Sequence, residues 1–243
     1  MHKLPISPHR EGVIQMVPDA FSIGSGFQPN FGLVTSYSYT PSLSDLQGGS
    51  DGLLSRFQVG GHLTAAIGLG RRAFLDLDVP MQYSPGQSVL LGDSVVRLRG
   101  TLFGHESSRL SMGIDGGAWL PSGDPAQFTG DGAARYMARA LFSGTTEKAD
   151  YSFNLGYYDR SFQVVQPDEW EIGSSLVFGV ATGIKLKEGK FYVGPEIAGM
   201  TMIDSEAPDT GAFNGKSTPV EAMISSQFQN EFIVVQAGIG RGI

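Results

Sequence analysis

The chain has 243 residues and a net charge of −7, and its 17% of charged residues lies below the roughly 25% of an average soluble domain. The 34 glycines and 10% aromatic residues favour many strands with tight turns over a helical bundle. No apolar run approaches the ~18 residues of a spanning helix, so a helical membrane protein is excluded. The negative charge argues against nucleic acid as a partner.

The N-terminal part of the chain differs from the rest. Residues 1–30 are rich in proline and glycine, with one short apolar run from Val13 to Val17. From Phe31 onward, apolar and polar residues alternate repeatedly, which is typical of strands with one apolar and one polar face. We therefore expect an irregular N-terminal segment over 1–30 and one all-β domain over 31–243.

The alternation predicts eleven strands, and it is clearest between Leu54 and Tyr83, where two strands flank a tight turn at GLGRR. Most predicted strands have about 10–14 residues, whereas soluble strands most often have about 5–6 and lipid-crossing strands about 9–11. Strand length therefore favours a membrane barrel. The predicted strands are 31–40, 55–68, 72–83, 94–103, 109–120, 134–143, 149–160, 171–186, 190–203, 217–228 and 231–243.

The connections between the predicted strands alternate in length. Long polar segments such as 41–53 and 121–133 follow the odd-numbered strands, and short turns such as GLG and KEG follow the even-numbered ones. Long outer loops and short periplasmic turns are typical of outer-membrane barrels. The loops are also acidic, which suggests an outer rim for divalent cations that bridge lipopolysaccharide; ordinary solvated loops are the alternative. The acidic loop residues are Asp45, Asp51, Asp93, Asp124, Asp131, Asp168, Glu169, Asp204, Glu206 and Asp209.

Aromatic residues recur near both ends of the apolar faces, where the amphipathic rings of a membrane barrel lie at the headgroup level. Soluble barrels also have aromatic residues at strand ends, so this signal only supports the membrane interpretation. The residues toward the long loops are Tyr37, Tyr39, Tyr83, Tyr136 and Tyr157, and those toward the short turns are Phe142, Tyr151, Phe191 and Phe228.

The face opposite the apolar one is rich in charges. A dry soluble core could not hold this many ionised groups, because each costs several kcal/mol to desolvate unless it is well paired. A wet or salt-bridged lumen can hold them, so we expect the apolar face to meet lipid. The predicted lumen-lining residues are Arg56, His62, Asp76, Asp78, Arg97, Arg99, Asp115, Arg135, Arg139, Glu196 and Glu221, and the same face carries Asp150, Asn154 and Arg160.

Acidic and basic rows fall on neighbouring predicted strands, which indicates ion pairing across the lumen wall. Barrels of about eight strands are filled by side chains and those of 16–18 leave an aqueous channel, so about 12 strands lie between these cases. The lumen is then either plugged by its ion pairs or a narrow pore. The expected pairings are Asp76 and Asp78 with Arg97 and Arg99, and Asp115 with Arg135 and Arg139.

Evidence for an enzyme is weak in this sequence. His62 is the one histidine inside a predicted strand, and with Asp76 or Asp78 it would imitate part of a hydrolase triad. No nucleophile motif accompanies it, and no residue cluster has the spacing of metal ligands. We predict no catalytic residue, no metal and no cofactor.

Several segments follow one another in an order that carries a family resemblance. Together they resemble the N-terminal barrel of OmpA-family outer-membrane proteins of myxobacterial and related deltaproteobacterial type, over most of residues 11–243. The resemblance implies a transmembrane barrel with periplasmic termini, often followed by a peptidoglycan-binding domain. These residues contain no such domain, so a cell-wall anchoring role is not carried over. The segments are FGLVTSYSYTPSL, LGDSVVRLRGTLFG, GGAWLPSGDPAQFTGDGAARYMARALFSG, IGSSLVFGVATGIKL, FYVGPEIAGMT and STPVEAMISSQF.

Closure of the barrel is the main open point. The family pattern continues beyond AGIGRGI with a further strand, and eleven strands leave an edge open. Each unsatisfied backbone group in lipid costs several kcal/mol, so the edge must be covered. The options are a truncated chain, the Val13–Val17 segment, or neighbouring subunits of a homo-oligomer.

We therefore predict a non-enzymatic, transmembrane antiparallel up-and-down β-barrel of about 12 strands in the bacterial outer membrane. Its expected role is structural or that of a narrow porin-like pore, and its expected partners are outer-membrane lipid and lipopolysaccharide. One alternative is an outer-membrane barrel enzyme. Another is a soluble β-barrel that binds an apolar ligand, which would require the apolar face to point inward.

Overall fold

The computed structural model is all-β in the part of the chain that it describes. No α-helix is found in those ranges. Among the same residues, none belongs to a helix long and apolar enough to cross a membrane. The described residues are 29–39, 57–70, 72–83, 88–104, 108–125, 129–161, 163–165, 170–187, 190–203, 218, 220–229 and 234–242.

All eleven predicted strands are present, with ends that differ by a few residues. The largest difference is at 171, where the structure assigns the residues before Gly173 to a separate short strand. Three short strands were missed because two or three residues are too few for an alternation to register. The strands are β1 (Pro29–Tyr39), β2 (Phe57–Gly68), β3 (Ala73–Tyr83), β4 (Leu90–Leu91), β5 (Ser94–Phe103), β6 (Ser111–Leu120), β7 (Arg135–Thr145), β8 (Ala149–Asp159), β9 (Gln163–Val165), β10 (Trp170–Ile172), β11 (Ser175–Leu186), β12 (Phe191–Met202), β13 (Val220–Gln229) and β14 (Val234–Gly242).

The strands form one up-and-down antiparallel sheet. The order is β1-β2-β3-β5-β6-β7-β8-β11-β12-β13-β14, with β4 beside β3 and with β9 and β10 as a separate hairpin. Every long strand pairs with its neighbours in the chain, which confirms the predicted antiparallel arrangement. Within the described ranges β1 and β14 do not pair, so the sheet is open and closure into a barrel stays a prediction. The Val13–Val17 segment and most of the predicted region 1–30 lie outside the described residues.

The register gives the sheet two chemically different faces. On β3, Phe74 and Asp76 are each 3% exposed, whereas Leu75 and Leu77 are 39% and 42% exposed. The same alternation recurs along the sheet, so one face buries polar groups and the other exposes apolar ones. The buried polar residues include Thr64, Arg97, Arg99, Asp115, Ser143, Asp150, Asn154, Glu196, Ser225 and Gln227, and the exposed apolar ones include Leu63, Leu98, Ile114, Leu155, Val180, Ile197, Ile224 and Ile239.

Side chains on the polar face reach beyond the adjacent strand. The rings of Trp119 on β6 and Tyr158 on β8 lie 5.1 Å apart, although β7 runs between them. Lys185 on β11 donates to the hydroxyl of Thr145 on β7 while it pairs at 2.6 Å with Asp150 on β8. Neighbouring strands are about 4.8 Å apart, so these contacts indicate a sheet that curves toward its polar face.

At one point two backbones approach so closely that the position requires a glycine. A Cβ built on Gly194 of β12 would collide with the carbonyl oxygen of Thr182 on β11. The register between these strands lacks pairs at this point, next to Pro195, whose nitrogen has no proton to donate. Only glycine therefore fits at position 194.

Gly194→Ala tests this constraint. We expect it to lower the free energy of unfolding by about 1–3 kcal/mol, because overpacking forces the backbones apart. The control is Gly116→Ala, where the nearest atom, the Met137 carbonyl oxygen, lies at an ordinary 3.7 Å. Equal midpoints for the two variants in urea titrations would contradict the close approach.

Candidate functional site

The paired register brings ionised residues of four strands together on the polar face. Asp76 of β3 lies opposite Arg97 of β5. One step along, Arg99 of β5 lies opposite Asp115 of β6, which in turn lies opposite Arg139 of β7. We call these five residues the core cluster.

Asp115 is the centre of the core cluster. Its Oδ2 lies 3.6 Å from Arg99 Nη2 and accepts hydrogen bonds from Nε and Nη2 of Arg139, the former at 3.1 Å. The side chains of Arg99, Asp115 and Arg139 are 4%, 0% and 10% exposed. One buried carboxylate therefore neutralises two buried guanidiniums. The predicted pairing of Asp115 with Arg139 is therefore confirmed.

A second pair completes the core cluster. Nε of Arg97 donates to Asp76 Oδ1 at 3.0 Å, and both side chains are almost fully buried. This pairing was also predicted. The core cluster thus contains three arginines and two carboxylates.

The predicted pairing of Asp78 with an arginine was wrong. Position 99 faces Phe74 on β3, and the Arg99 guanidinium lies 5.1 Å from the centre of that ring. Asp78 faces Val95. The Asp78 carboxylate instead lies 3.1 Å from Nδ1 of His62 on β2, and the His62 side chain is 40% exposed. Alternation placed the carboxylates on the correct face, but only the register decides which partner each one meets.

Glycines make room for two of the arginines. Gly117 lies opposite Arg97, and a Cβ at Gly117 would be 3.0 Å from Arg97 Cγ. Gly156 lies opposite Arg139, and a Cβ there would collide with Arg139 Cγ. The arginine stems therefore lie over the bare backbone of the next strand. Gly116, the neighbour of Gly117, has only the Met137 carbonyl oxygen near it, at 3.7 Å from a Cβ placed there.

A separate group of charges lies where the long loops begin. Arg135 at the start of β7 binds Asp93 at 2.7 Å and Asp131 at 3.1 Å, and Asp131 also binds Arg160 beyond β8 at 2.6 Å. We call these four residues the rim cluster. Arg135 was expected to pair with Asp115, but it faces Trp119 at the end of β6, too far along the strand.

The rim cluster also changes the interpretation of the acidic loops. Asp93 is 3% exposed, and its carboxylate is occupied by an arginine and two backbone N–H groups. Asp131 is shared by two arginines. Both residues belong to the acidic loops for which an outer cation-binding rim was one hypothesis, and each neutralises an arginine of its own sheet instead. Asp124, the one other predicted acidic loop residue that is described, is exposed, and the remaining seven lie outside the described residues.

The remaining predicted residues are dispersed. Glu196 on β12 is 1% exposed and opposite Ala181 and Met223. Glu221, at the start of β13, is exposed. Arg56 lies outside the described residues. Among those that are described, no group of three or more histidine and acidic side chains could hold a metal ion.

Asp115→Asn tests the core cluster. Loss of this charge leaves two buried guanidiniums without their shared carboxylate, so we expect the free energy of unfolding to fall by about 3–5 kcal/mol. Glu221→Gln is the control, since it removes one carboxylate at an exposed position and should change stability by no more than about 0.5 kcal/mol. If chemical denaturation gives the same value for both, the ion pairs do not hold this face together.

No known family model matches the chain, and no curated protein matches it. The functional proposal therefore rests on the burial, charge and dimensions of the sheet itself.

Proposed function

We propose that this chain forms an outer-membrane β-barrel whose role is structural. The observation that carries the proposal is the inverted burial of the sheet, with ionised residues inside and large apolar residues outside. Arg97, Asp115 and Glu196 are 5%, 2% and 1% exposed, whereas Leu98, Ile114 and Ile197 beside them are 52%, 52% and 41% exposed. Burial of apolar area stabilises a protein in water by roughly 25 cal/mol per Å², so this arrangement suits lipid and not water.

The dimensions of the strands support a membrane position. Several of them, such as β3 and β8, have 11 residues. At about 3.3 Å per residue and a tilt of about 40°, such a strand spans about 28 Å, close to the ~25 Å apolar band of outer-membrane barrels. The strand lengths therefore match a single crossing each.

Exposed aromatic side chains support the same position. Tyr83, Tyr136 and Tyr157 are exposed at the end of the sheet that carries the long loops. Tyr151 and Phe228 are exposed at the other end. Two such levels correspond to the two interfacial girdles of a membrane barrel. The side chains of Tyr37 and Tyr39 lie outside the described residues.

β1 and β14 are the edges of the described sheet. In lipid, the backbone groups along these two edges must be covered by another strand. With an odd number of alternating strands, β1 and β14 run in the same direction. A single further strand, antiparallel to both, would complete a barrel of 12, which agrees with the number predicted from the sequence. A neighbouring subunit of a homo-oligomer is the other source of cover. We include in this proposal that the barrel is of the OmpA-family type that the sequence resembles.

The core cluster supports a structural role over a porin-like one. Its side chains cross β3, β5, β6 and β7 and are at most 10% exposed, so this half of the lumen holds side chains rather than a water column. Hydroxyl and amide groups, among them Ser152, Asn154 and Gln227, are buried on the other half. We therefore propose that the charges have a bracing role, in which their ion pairs link neighbouring strands of the barrel wall. We assign the His62–Asp78 pair a hydrogen-bonding role in the same wall.

A soluble barrel that carries an apolar ligand would need the opposite burial. Its apolar side chains would line the interior, whereas here the exposed ones include Phe31, Leu33 and Ile224 at 81%, 65% and 63%. This contrast favours the membrane proposal over that alternative.

Leu98→Arg and Leu110→Arg test the lipid-facing side with two leucines of matched exposure, 52% and 54%. Leu98 is in the middle of β5, where arginine in lipid costs about 2–4 kcal/mol, and Leu110 is in a turn, where the cost falls to about 0–1 kcal/mol. We expect Leu98→Arg alone to reduce folding into vesicles, read from heat-modifiable gel migration. A protein that is folded and monodisperse in water without detergent, and indifferent to Leu98→Arg, would refute the proposal.

Arg97→Ala combined with Arg99→Ala tests the bracing role in a planar bilayer. Removal of both arginines empties the centre of the core cluster, so we expect either new ion conductance or a clear loss of stability, against low conductance in the parent protein. Unchanged conductance together with unchanged stability would remove this role from the core cluster. High conductance in the parent protein would favour the porin-like role.

A further inference from the structure

The connection from β6 to β7 is tied down by buried charges. We call its described residues 121–125 and 129–131 the strap. Hydrogen bonds within the strap join its two arms, since Asp124 N–H donates to Thr129 Oγ1 at 2.9 Å and Thr129 N–H donates to the Asp124 carbonyl at 3.1 Å. These hydrogen bonds stabilise the conformation of the strap independently of its contacts with the rest of the sheet.

Asp93 holds both arms of the strap at once. Its Oδ1 accepts the N–H of Gly123 at 2.9 Å, and its Oδ2 accepts the N–H of Asp131 at 3.0 Å and Nη2 of Arg135 at 2.7 Å. A Cβ on Gly130 would collide with the same carboxylate. One buried side chain thus joins the start of β5, both arms of the strap and the start of β7.

The strap reaches across the ends of four neighbouring strands of the sheet, β5, β6, β7 and β8. On one side, a Cβ at Gly92 would lie 3.2 Å from the Thr129 carbonyl oxygen and 2.8 Å from Cγ of Pro80 on β3. On the other side, Asp131 binds Arg160 beyond the end of β8. Between these points the strap contacts β5 through Asp93 and connects β6 with β7. A loop that merely continued its own hairpin would not extend this far.

The contacts lie on the polar side of the sheet. Asp93 continues the alternation of buried positions in β5, and Arg135 and Arg160 continue those of β7 and β8. The Arg135 guanidinium lies 5.8 Å from the Trp119 ring centre, and the Trp119 ring lies 5.1 Å from that of Tyr158. The strap, an arginine and two aromatic rings therefore follow one another from the sheet end inward.

We propose that the strap is a lid over the long-loop end of the polar face, and that Asp93 is the latch that keeps it closed. The inference goes beyond the structural role proposed above and does not rest on a membrane position, because it concerns access of solvent to the polar face at that end. It gives Asp93 a positioning role that no loop acidity or strand pattern indicated.

Trp119 reports the closed state directly. The chain has two tryptophans, so a Trp170→Phe background leaves Trp119, beneath the strap, as the sole tryptophan. In this background we expect Asp93→Asn to raise the acrylamide quenching constant of Trp119 at least about two-fold. Asp159→Asn is the matched control, since Asp159 is an exposed carboxylate at the same end of the sheet, and it should leave quenching unchanged.

A second variant opens the strap without a change of charge. Gly130→Ala places a methyl group against the Asp93 carboxylate, so it should increase Trp119 quenching as Asp93→Asn does, whereas Gly116→Ala should not. Amide hydrogen exchange gives a readout that global unfolding would not imitate. We expect the Gly123 and Asp131 amides to exchange at least about ten-fold faster in Asp93→Ala, while the amides of β5 and β6 keep their protection.

The outcomes separate the lid from the membrane proposal. Local loss of protection with increased quenching supports the lid whether or not the protein folds into vesicles. Unchanged quenching in Asp93→Asn, or unchanged exchange at both amides in Asp93→Ala, would overturn it. Equal effects of Asp159→Asn, or loss of protection throughout the sheet, would also overturn it, because the latch would then be a general stability contact.

Discussion

The structure depends on the mutual neutralisation of charges that are removed from water on one face of the sheet. An ionised group buried alone costs several kcal/mol, so each arginine on this face must meet a carboxylate held at a fixed height on a neighbouring strand. Asp115 does this for two arginines, and Asp76 does it for Arg97. Strand register sets these heights, so the ion pairs form in one register only.

The two faces of the sheet impose opposite requirements on successive residues of a strand. Along β5, each buried residue is followed by one on the opposite face, and these outward residues include Leu98 and Leu102 at 52% and 48% exposed. A slip by one residue would place arginines outside and leucines inside. In a membrane setting both errors would be costly, so the alternation protects the register from both sides.

Much of the fold could be predicted from the sequence because period-2 alternation is a strong signal over strands of about ten residues. The strands, their antiparallel order and the face of Asp76, Arg97, Arg99, Asp115 and Arg139 followed from it. The partners did not. Asp78 meets His62 and Arg135 meets Asp93, because partner choice depends on register and on how far each residue lies from a strand end. Asp93 lies one residue before the predicted strand 94–103, in an acidic connection, so its place in the alternation of buried positions was not recognised as that of a buried ligand of backbone amides.

The glycines opposite the arginines have a consequence for how such a face can change over evolution. Gly117 and Gly156 are the recesses into which Arg97 and Arg139 fit, so a charge cannot move to a new position unless a recess is already present on the adjacent strand. A glycine replaced first leaves an arginine without space, and an arginine replaced first leaves a void. Homologous proteins should therefore exchange these residues as pairs, and a designer who wishes to redraw the charge pattern must place the glycines before the arginines.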